Sequence, residues 1–255
     1  MANVLVDIGN SRLKFCRSEG GELLLPVRGV GRDSSVTFDD VARDWHLATG
    51  TRWGVVSTDP AKLNEFVTWA EARGDAVVAV DSPWQIPLSA QVDFPEKVGM
   101  DRLLNALAAK RRLKPGEPAI IADAGSAVTV DLVDEAGFFQ GGAIFPGLHL
   151  MAKALNDYTA KLPLIDPREE PSARLPGKNT EAAMRLGVVH AVAGGIDALV
   201  RELASQCVQT PRLFLTGGDM TPHLAGLIQA RHQFPSEVRP TLTLEGLRLV
   251  AESHS

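Results

Sequence analysis

The chain has 255 residues, 45% of them hydrophobic and 22% charged, with a formal net charge of -5, which bounds it to one large or two ordinary domains of a soluble globular type. The negative balance leaves no electrostatic footprint for nucleic acid, since basic residues are scattered except for Lys110-Arg111-Arg112, which reads as a helix end. Two cysteines without CxxC spacing, no cationic leader and no apolar run of ~18–20 residues predict a cytoplasmic protein with no membrane partner.

Val4 to Ile8 followed by Arg12 to Cys16 reads as two strands around a tight turn, with a second turn at Glu19-Gly20-Gly21. Gly9 is expected to supply the positive φ that a hairpin's twist demands, leaving Asp7 at the tip. Arg52 to Val56 and Ala76 to Val80 read as buried strands around a helix near Pro60 to Arg73. A proline-bearing loop from Asp81 to Val98 leads to a helix beginning at Asp101, which is well placed as its N-cap and ends near Arg112. Lys114 to Pro118 then breaks the chain, and domains of 1–116 and 117–255 are expected on either side.

The second half opens as the first does. Ile120 to Ala127 and Val128 to Leu132 repeat strand, Asp123-x-Gly125 turn, strand, and the next turn falls at Glu135-Ala136-Gly137. Two such hairpins, about half a chain length apart, suggest two related halves, each offering a carboxylate-bearing loop across a cleft. Phe138 to Ile144 reads as a third strand, and Pro146-Gly147 opens a helix over His149 to Thr159. Leu162 to Lys178 carries four prolines and reads as an extended loop. A helical region from Glu181 to Ser205 is expected to break at Gly194-Gly195, a strand from Arg212 to Thr216 ends at Gly217-Gly218-Asp219, and a helix follows Thr243. The sum is an α/β protein of two mixed lobes.

Asp7, Gly9, Asn10, Ser11 and Lys14 combine a carboxylate, exposed turn N–H groups, small polar side chains and a cation, the set that a polyphosphate with Mg²⁺ needs. The same residues are also ordinary turn chemistry. Asp101 followed by Arg102 pairs a proton acceptor with a cation able to hold a carboxylate. The six histidines form no zinc motif, and the P-loop, Rossmann and serine-hydrolase signatures are missing.

Taken in order, Asp7 to Ser11 with Lys14, Gly99-Met100-Asp101-Arg102, Asp123 to Thr129 with Asp131, Gly141-Gly142 through Pro146-Gly147, Asn179-Thr180 and Thr216 to Asp219 resemble the type III pantothenate kinases, a family overlapping with the Bvg accessory factors. The resemblance implies two ribonuclease-H-like lobes of the acetate and sugar kinase/Hsp70/actin superfamily with ATP in a central cleft, usually as a homodimer. It implies phosphorylation of pantothenate to 4'-phosphopantothenate, the first step of coenzyme A biosynthesis, with Mg²⁺ and potassium or ammonium. By the same resemblance Asp101 is the catalytic base, and Asp7, Ile8, Gly9, Asn10, Ser11, Arg12, Leu13, Lys14 and Ser126 contact ATP. Val92, Gly99, Met100, Asp101, Arg102 and Thr180 contact pantothenate, and Asp123 binds the monovalent cation. Ser11 and Ser126 replace the usual threonines and keep the hydroxyl; Val92 replaces a common tyrosine and does not. Two other readings are a non-catalytic nucleotide-binding accessory factor and a kinase of this fold acting on another small alcohol.

Overall fold

The computed structural model describes residues 4–31, 34–169 and 175–253. The chain divides into two compact units, Met1–Arg111 with Thr241–Ser255, and Arg112–Pro240. The first break thus lies just upstream of the Lys114 to Pro118 linker, and the C-terminal helix belongs to the first unit instead of ending the second. Residues 170–174 of the proline-bearing loop lie outside the described residues.

The first unit is built on β1 (Val4–Ile8), β2 (Arg12–Glu19), β3 (Glu22–Gly31), β4 (Arg52–Ser57) and β5 (Ala76–Val80), in the order β3-β2-β1-β4-β5. The first three are antiparallel neighbours, whereas β4 and β5 run parallel to β1. All of β1 is buried because both faces of the sheet are covered. Val4, Val6 and Ile8 face a cluster with Trp53 and Phe66, beneath α1 (Phe38–Asp44) and α2 (Pro60–Ala72). The alternate residues, Leu5 and Asp7, therefore point to the other face. There α3 (Met100–Lys110) packs against α7 (Leu242–Ser253) so closely that a Cβ on Gly246 would lie 2.1 Å from the Leu104 carbonyl oxygen. Buried Asn105 accepts a 2.9 Å hydrogen bond from the Thr243 hydroxyl, which ties the returning helix to α3.

The second unit repeats the plan with β6 (Ala119–Ala124), β7 (Ala127–Val133), β8 (Phe139–Pro146), β9 (Arg212–Thr216) and β10 (Ser236–Val238), ordered β10-β9-β6-β7-β8. Again the first three are antiparallel and the last two parallel. The repeated hairpins head two sheets of one topology.

Helix α4 (Leu148–Asp157) follows β8, α5 (Thr180–Ala204) forms the core, and α6 (Pro222–Gln229) links β9 to β10. The expected break in α5 does not occur. Each glycine costs about 1 kcal/mol in a helix interior, but burying Val188, Val189, Val192, Ile196 and Val200 outweighs that. A Cβ on Gly195 would sit 3.3 Å from the Phe145 ring, so the glycine lets the helix approach β8. By length and composition α5 would also suffice to cross a membrane; here its apolar stripe packs on the sheet.

At the edge of this core lies His232, its ring 5.2 Å from that of Phe234 and both ring nitrogens buried without a hydrogen-bond partner among the described residues. Burial pushes its pKa below the ordinary histidine value, Asp197 opposes that shift and Arg201 reinforces it. Because the unfolded chain then binds the proton more readily, this histidine's stabilising contribution is full above its unfolded pKa and declines as pH falls toward the folded one. Urea midpoints are expected to fall between about pH 7 and about pH 5. His232→Leu should flatten that dependence, and an unchanged slope would contradict it.

Candidate active site

In the first unit, strand register brings the chemistry together. Asp7 and Lys14 are cross-strand partners, with Lys14 Nζ 3.6 Å from Asp7 Oδ2. Asp7 is only 8% exposed. Burial raises its pKa, Lys14 opposes that shift, and the charge of Asp101 adds to it. Asp7 thus feels the charges of both Lys14 and Asp101.

The loop above Asp7 is closed by Gly9 N–H donating to Arg12 O at 3.0 Å. Gly9 is absent from the positive-φ glycines, as is Gly125, so the expected left-handed turn residue is corrected in both hairpins. Three residues rather than two span the first loop, which relieves the demand for a mirror-image turn. Positive φ occurs instead at Gly20 (59°), Gly21 (82°) and Gly137 (80°), in the turns that follow. Thr58 braces the loop, its N–H donating to Ile8 O at 3.1 Å and its hydroxyl to Asn10 Oδ1 at 3.4 Å. Asn10, Ser11 and Arg12 are exposed, whereas the Ile8 and Leu13 side chains are buried in the core and offer only backbone groups to a ligand.

Asp101 is not the N-cap of α3. Gly99 holds that position, and Asp101 sits in the first turn, Oδ1 accepting from Arg102 N–H at 2.9 Å. A Cβ on Gly99 would lie 2.5 Å from that oxygen, so glycine is what leaves room for this carboxylate orientation. Met100 and Arg102 are partly buried beside it, and Val92 lies upstream in the segment that enters the helix.

The second unit gathers another set. Asp123 pairs across the ladder with Thr129, which puts both side chains on the sheet face opposite Ala122, Ala124 and Val128 of the core. The Thr129 hydroxyl is buried and has no hydrogen-bond partner among the described residues. The Gly125-Ser126 turn is held by backbone from two other segments. Asp219 N–H donates to Ala124 O at 2.8 Å, and Gly147 N–H to Ser126 O at 3.0 Å. A Cβ on Gly147 would fall 2.1 Å from Gly125 O, and one on Gly217 (φ 106°) 2.2 Å from Ala124 O. The motifs around Gly147 and Gly217 thus converge on the second carboxylate loop. Thr180, the first residue of α5, is exposed after the Asn179 N-cap.

One contributor and one feature escape a reading of the sequence. Thr58 carries no motif and is found only through the register of β1 and β4. Thr129 ends the Asp123 to Thr129 motif, but nothing in sequence marks its hydroxyl as orphaned. Neither cysteine is poised as a nucleophile: burial raises the Cys16 pKa, and burial with Glu135 and Asp134 pushes Cys207 to about 11.

Residues 3–202 match the family model described as type III pantothenate kinase. A type III pantothenate kinase of Rubrobacter xylanophilus is 41% identical over 177 residues, covering 68% of this chain and 64% of that protein. One from Gluconobacter oxydans is 32% identical over 265 residues, covering 99% and 93%. The matches thus span less than two thirds of the length of the first relatives but nearly all of the Gluconobacter one. Among solved structures, the activator of 2-hydroxyisocaproyl-CoA dehydratase from Clostridium difficile with bound ADPNP shares the fold at TM-score 0.56 and 13% identity, covering 100% of this chain and 95% of that one. The archaeal actin homologue Ta0583 does so at TM-score 0.52 and 10% identity, covering 99% and 100%.

Proposed function

This chain belongs to the type III pantothenate kinase family, and we propose that it transfers the γ-phosphoryl group of ATP to the primary hydroxyl of pantothenate. The product is 4'-phosphopantothenate, committed to coenzyme A biosynthesis. The observation that carries this reading is the grouping of Asp7, Lys14 and Asp101 on one face of the first sheet.

Each residue then has a physical task. The backbone of the Asn10-Ser11-Arg12 loop, with the Lys14 ammonium, binds phosphate oxygens. Asp101 accepts a hydrogen bond from the pantothenate hydroxyl and aims its oxygen at the γ-phosphorus; the P–O bond to ADP breaks as the new one forms, and the hydroxyl proton leaves on Asp101. In a loose transition state little deprotonation is needed early, so orientation supplies most of the acceleration. Arg102 pairs with the pantothenate carboxylate. In the first unit Val92, Gly99 and Met100 contact the acceptor; in the second Thr180 is a substrate contact and Ser126 an ATP contact.

Two ions fit residues of this chain. Asp7, desolvated and beside a second carboxylate, would hold Mg²⁺ directly or through water. When bound, Mg²⁺ neutralises charge on the phosphate oxygens. Asp123 with the orphaned Thr129 hydroxyl offers two oxygens to potassium or ammonium. Thr129→Val is therefore expected to abolish the extra thermal stabilisation that potassium gives over sodium in the presence of ATP. An undiminished difference would remove Thr129 from the cation site. The working form is a cytoplasmic homodimer, without nucleic-acid or membrane partners.

Val92 makes acceptor identity the sharpest test. A panel of pantothenate, sugars and other small primary alcohols is expected to give phosphorylated product with pantothenate at the highest kcat/KM. Faster turnover of another alcohol would favour a sibling kinase, and ATP binding with no acceptor turned over would favour an accessory factor.

A further inference from the structure

The second unit carries an arginine whose partner is an imidazole. Arg168, Arg185, Arg201, Arg212 and Arg239 each pair with a carboxylate, whereas Arg231 Nη2 lies 3.3 Å from His190 Nδ1. A guanidinium has no lone pair to offer, so Arg231 donates in this contact and Nδ1 accepts, which requires that Nδ1 carry no proton. The guanidinium lies along α5 at Gly194, with Nη1 3.5 Å from where a Cβ would stand.

Arg231 belongs to the corner 230–235 between α6 and β10. His190, Gly194, Asp197 and Arg201 recur at helical spacing, so they lie on one face of α5, and the corner is fastened along that face. Arg201 donates to the Arg231 carbonyl oxygen and is itself paired with Asp197, its Nε 3.2 Å from both carboxylate oxygens. His232, next in the chain, has both ring nitrogens buried without a partner among the described residues, and the charges facing it are those of Asp197 and Arg201.

A proton added to each imidazole undoes this arrangement. At His190 it replaces a hydrogen bond by two cations in contact, while the carboxylate facing the corner, Asp197, is already taken by Arg201. At His232 it buries a charge that nothing pairs. Histidine is the side chain whose charge changes between about pH 5 and about pH 8. The corner leads into a short element: β10 has three residues, lies at the edge of its sheet, and is followed at Thr241 by the return of the chain to the first unit.

We propose that His190 and His232 form an acid-released latch, which fastens residues 230–235 and β10 to α5 when both imidazoles are neutral and frees them when both are protonated. The latch is separate from phosphoryl transfer and does not depend on that reading.

Hydrogen exchange followed by mass spectrometry tests it on the intact wild type and on the double variant His190→Asn, His232→Leu, at about pH 7.5 and about pH 5.5, each rate divided by its intrinsic value. Asparagine keeps an acceptor near the place of Nδ1 and does not titrate, and leucine occupies the buried position without a charge. In the wild type, peptides covering 230–238 are expected to exchange about tenfold or more faster at the acid pH, the effect of one lost hydrogen bond and one unpaired buried charge, while β6 and β7 keep their protection. The double variant should lose this acid response, and neutralising the wild type should restore its protection. An unchanged corner at the acid pH would overturn the latch, as would an acid response that persists in the double variant. A rise shared equally by β6 and β7 would also overturn it, because the whole unit would then be loosening.

Discussion

Asp101→Asn is expected to lower kcat by about 10²-fold or more, the usual contribution of a general base, while ATP still binds. Asparagine keeps the shape and can still accept from Arg102 N–H, so the first turn of α3 should survive. What it loses is the negative charge that orients the hydroxyl and receives its proton. The same charge contributes to raising the Asp7 pKa, after burial itself. Removing it should ease ionisation of Asp7, leaving nucleotide binding equal to or tighter than in the wild type. Rapid-quench turnover and calorimetric ATP titration read the two effects separately. Near-normal turnover would take Asp101 out of the chemistry, and loss of ATP binding would mean that it supports the phosphate loop instead.

Gly217→Ala should be the most damaging single-methyl substitution in the second unit. Residue 217 has φ 106°, where an L side chain is strained, and the added Cβ would lie 2.2 Å from Ala124 O and 2.5 Å from Ala124 N. Strain and overpacking together predict a loss of about 3 kcal/mol or more. The clash falls on backbone, which cannot rotate away, and that backbone carries the turn holding Ser126 and Asp123. Gly218 is the internal control, since a Cβ there meets nothing within 4 Å and should change stability by about 0.5 kcal/mol or less. Urea unfolding of the two variants should separate them widely. Similar midpoints would mean that the Gly217 loop can shift away from β6.

The two hairpins were legible because an Asp-x-Gly turn between apolar strands is a local pattern, and its repetition announces a shared topology that both sheets realise. Elements with one clean face were also readable: β4, α2, β5 and β9 lie within about a residue or two of their expected ends. Strand β3 was not, because it is an edge strand with a mostly exposed pattern and Pro26 within it, so alternation is weak. Helix α1 is seven residues long and held by a capping box between Thr37 and Asp40, too short to show a period. Asp101 was expected as a cap because aspartate favours that position, yet Gly99 takes it and Asp101 lies in the first turn, accepting from Arg102 N–H. The return of α7 to the first unit depends on Gly246 meeting Leu104 and on the Thr243–Asn105 bond, contacts between residues far apart in sequence. The candidate site divides likewise: its charged residues and Thr129 sit in recognisable motifs, while Thr58 and the orphaned state of the Thr129 hydroxyl emerge only from the structure.

The central claim is settled by incubating the purified protein with pantothenate, ATP, Mg²⁺ and potassium and quantifying ADP and phosphopantothenate together by mass. Equimolar formation of both, dependent on protein and lost in Asp101→Asn, is the predicted result. ADP without phosphopantothenate, or neither product from protein that binds ATP, would contradict it.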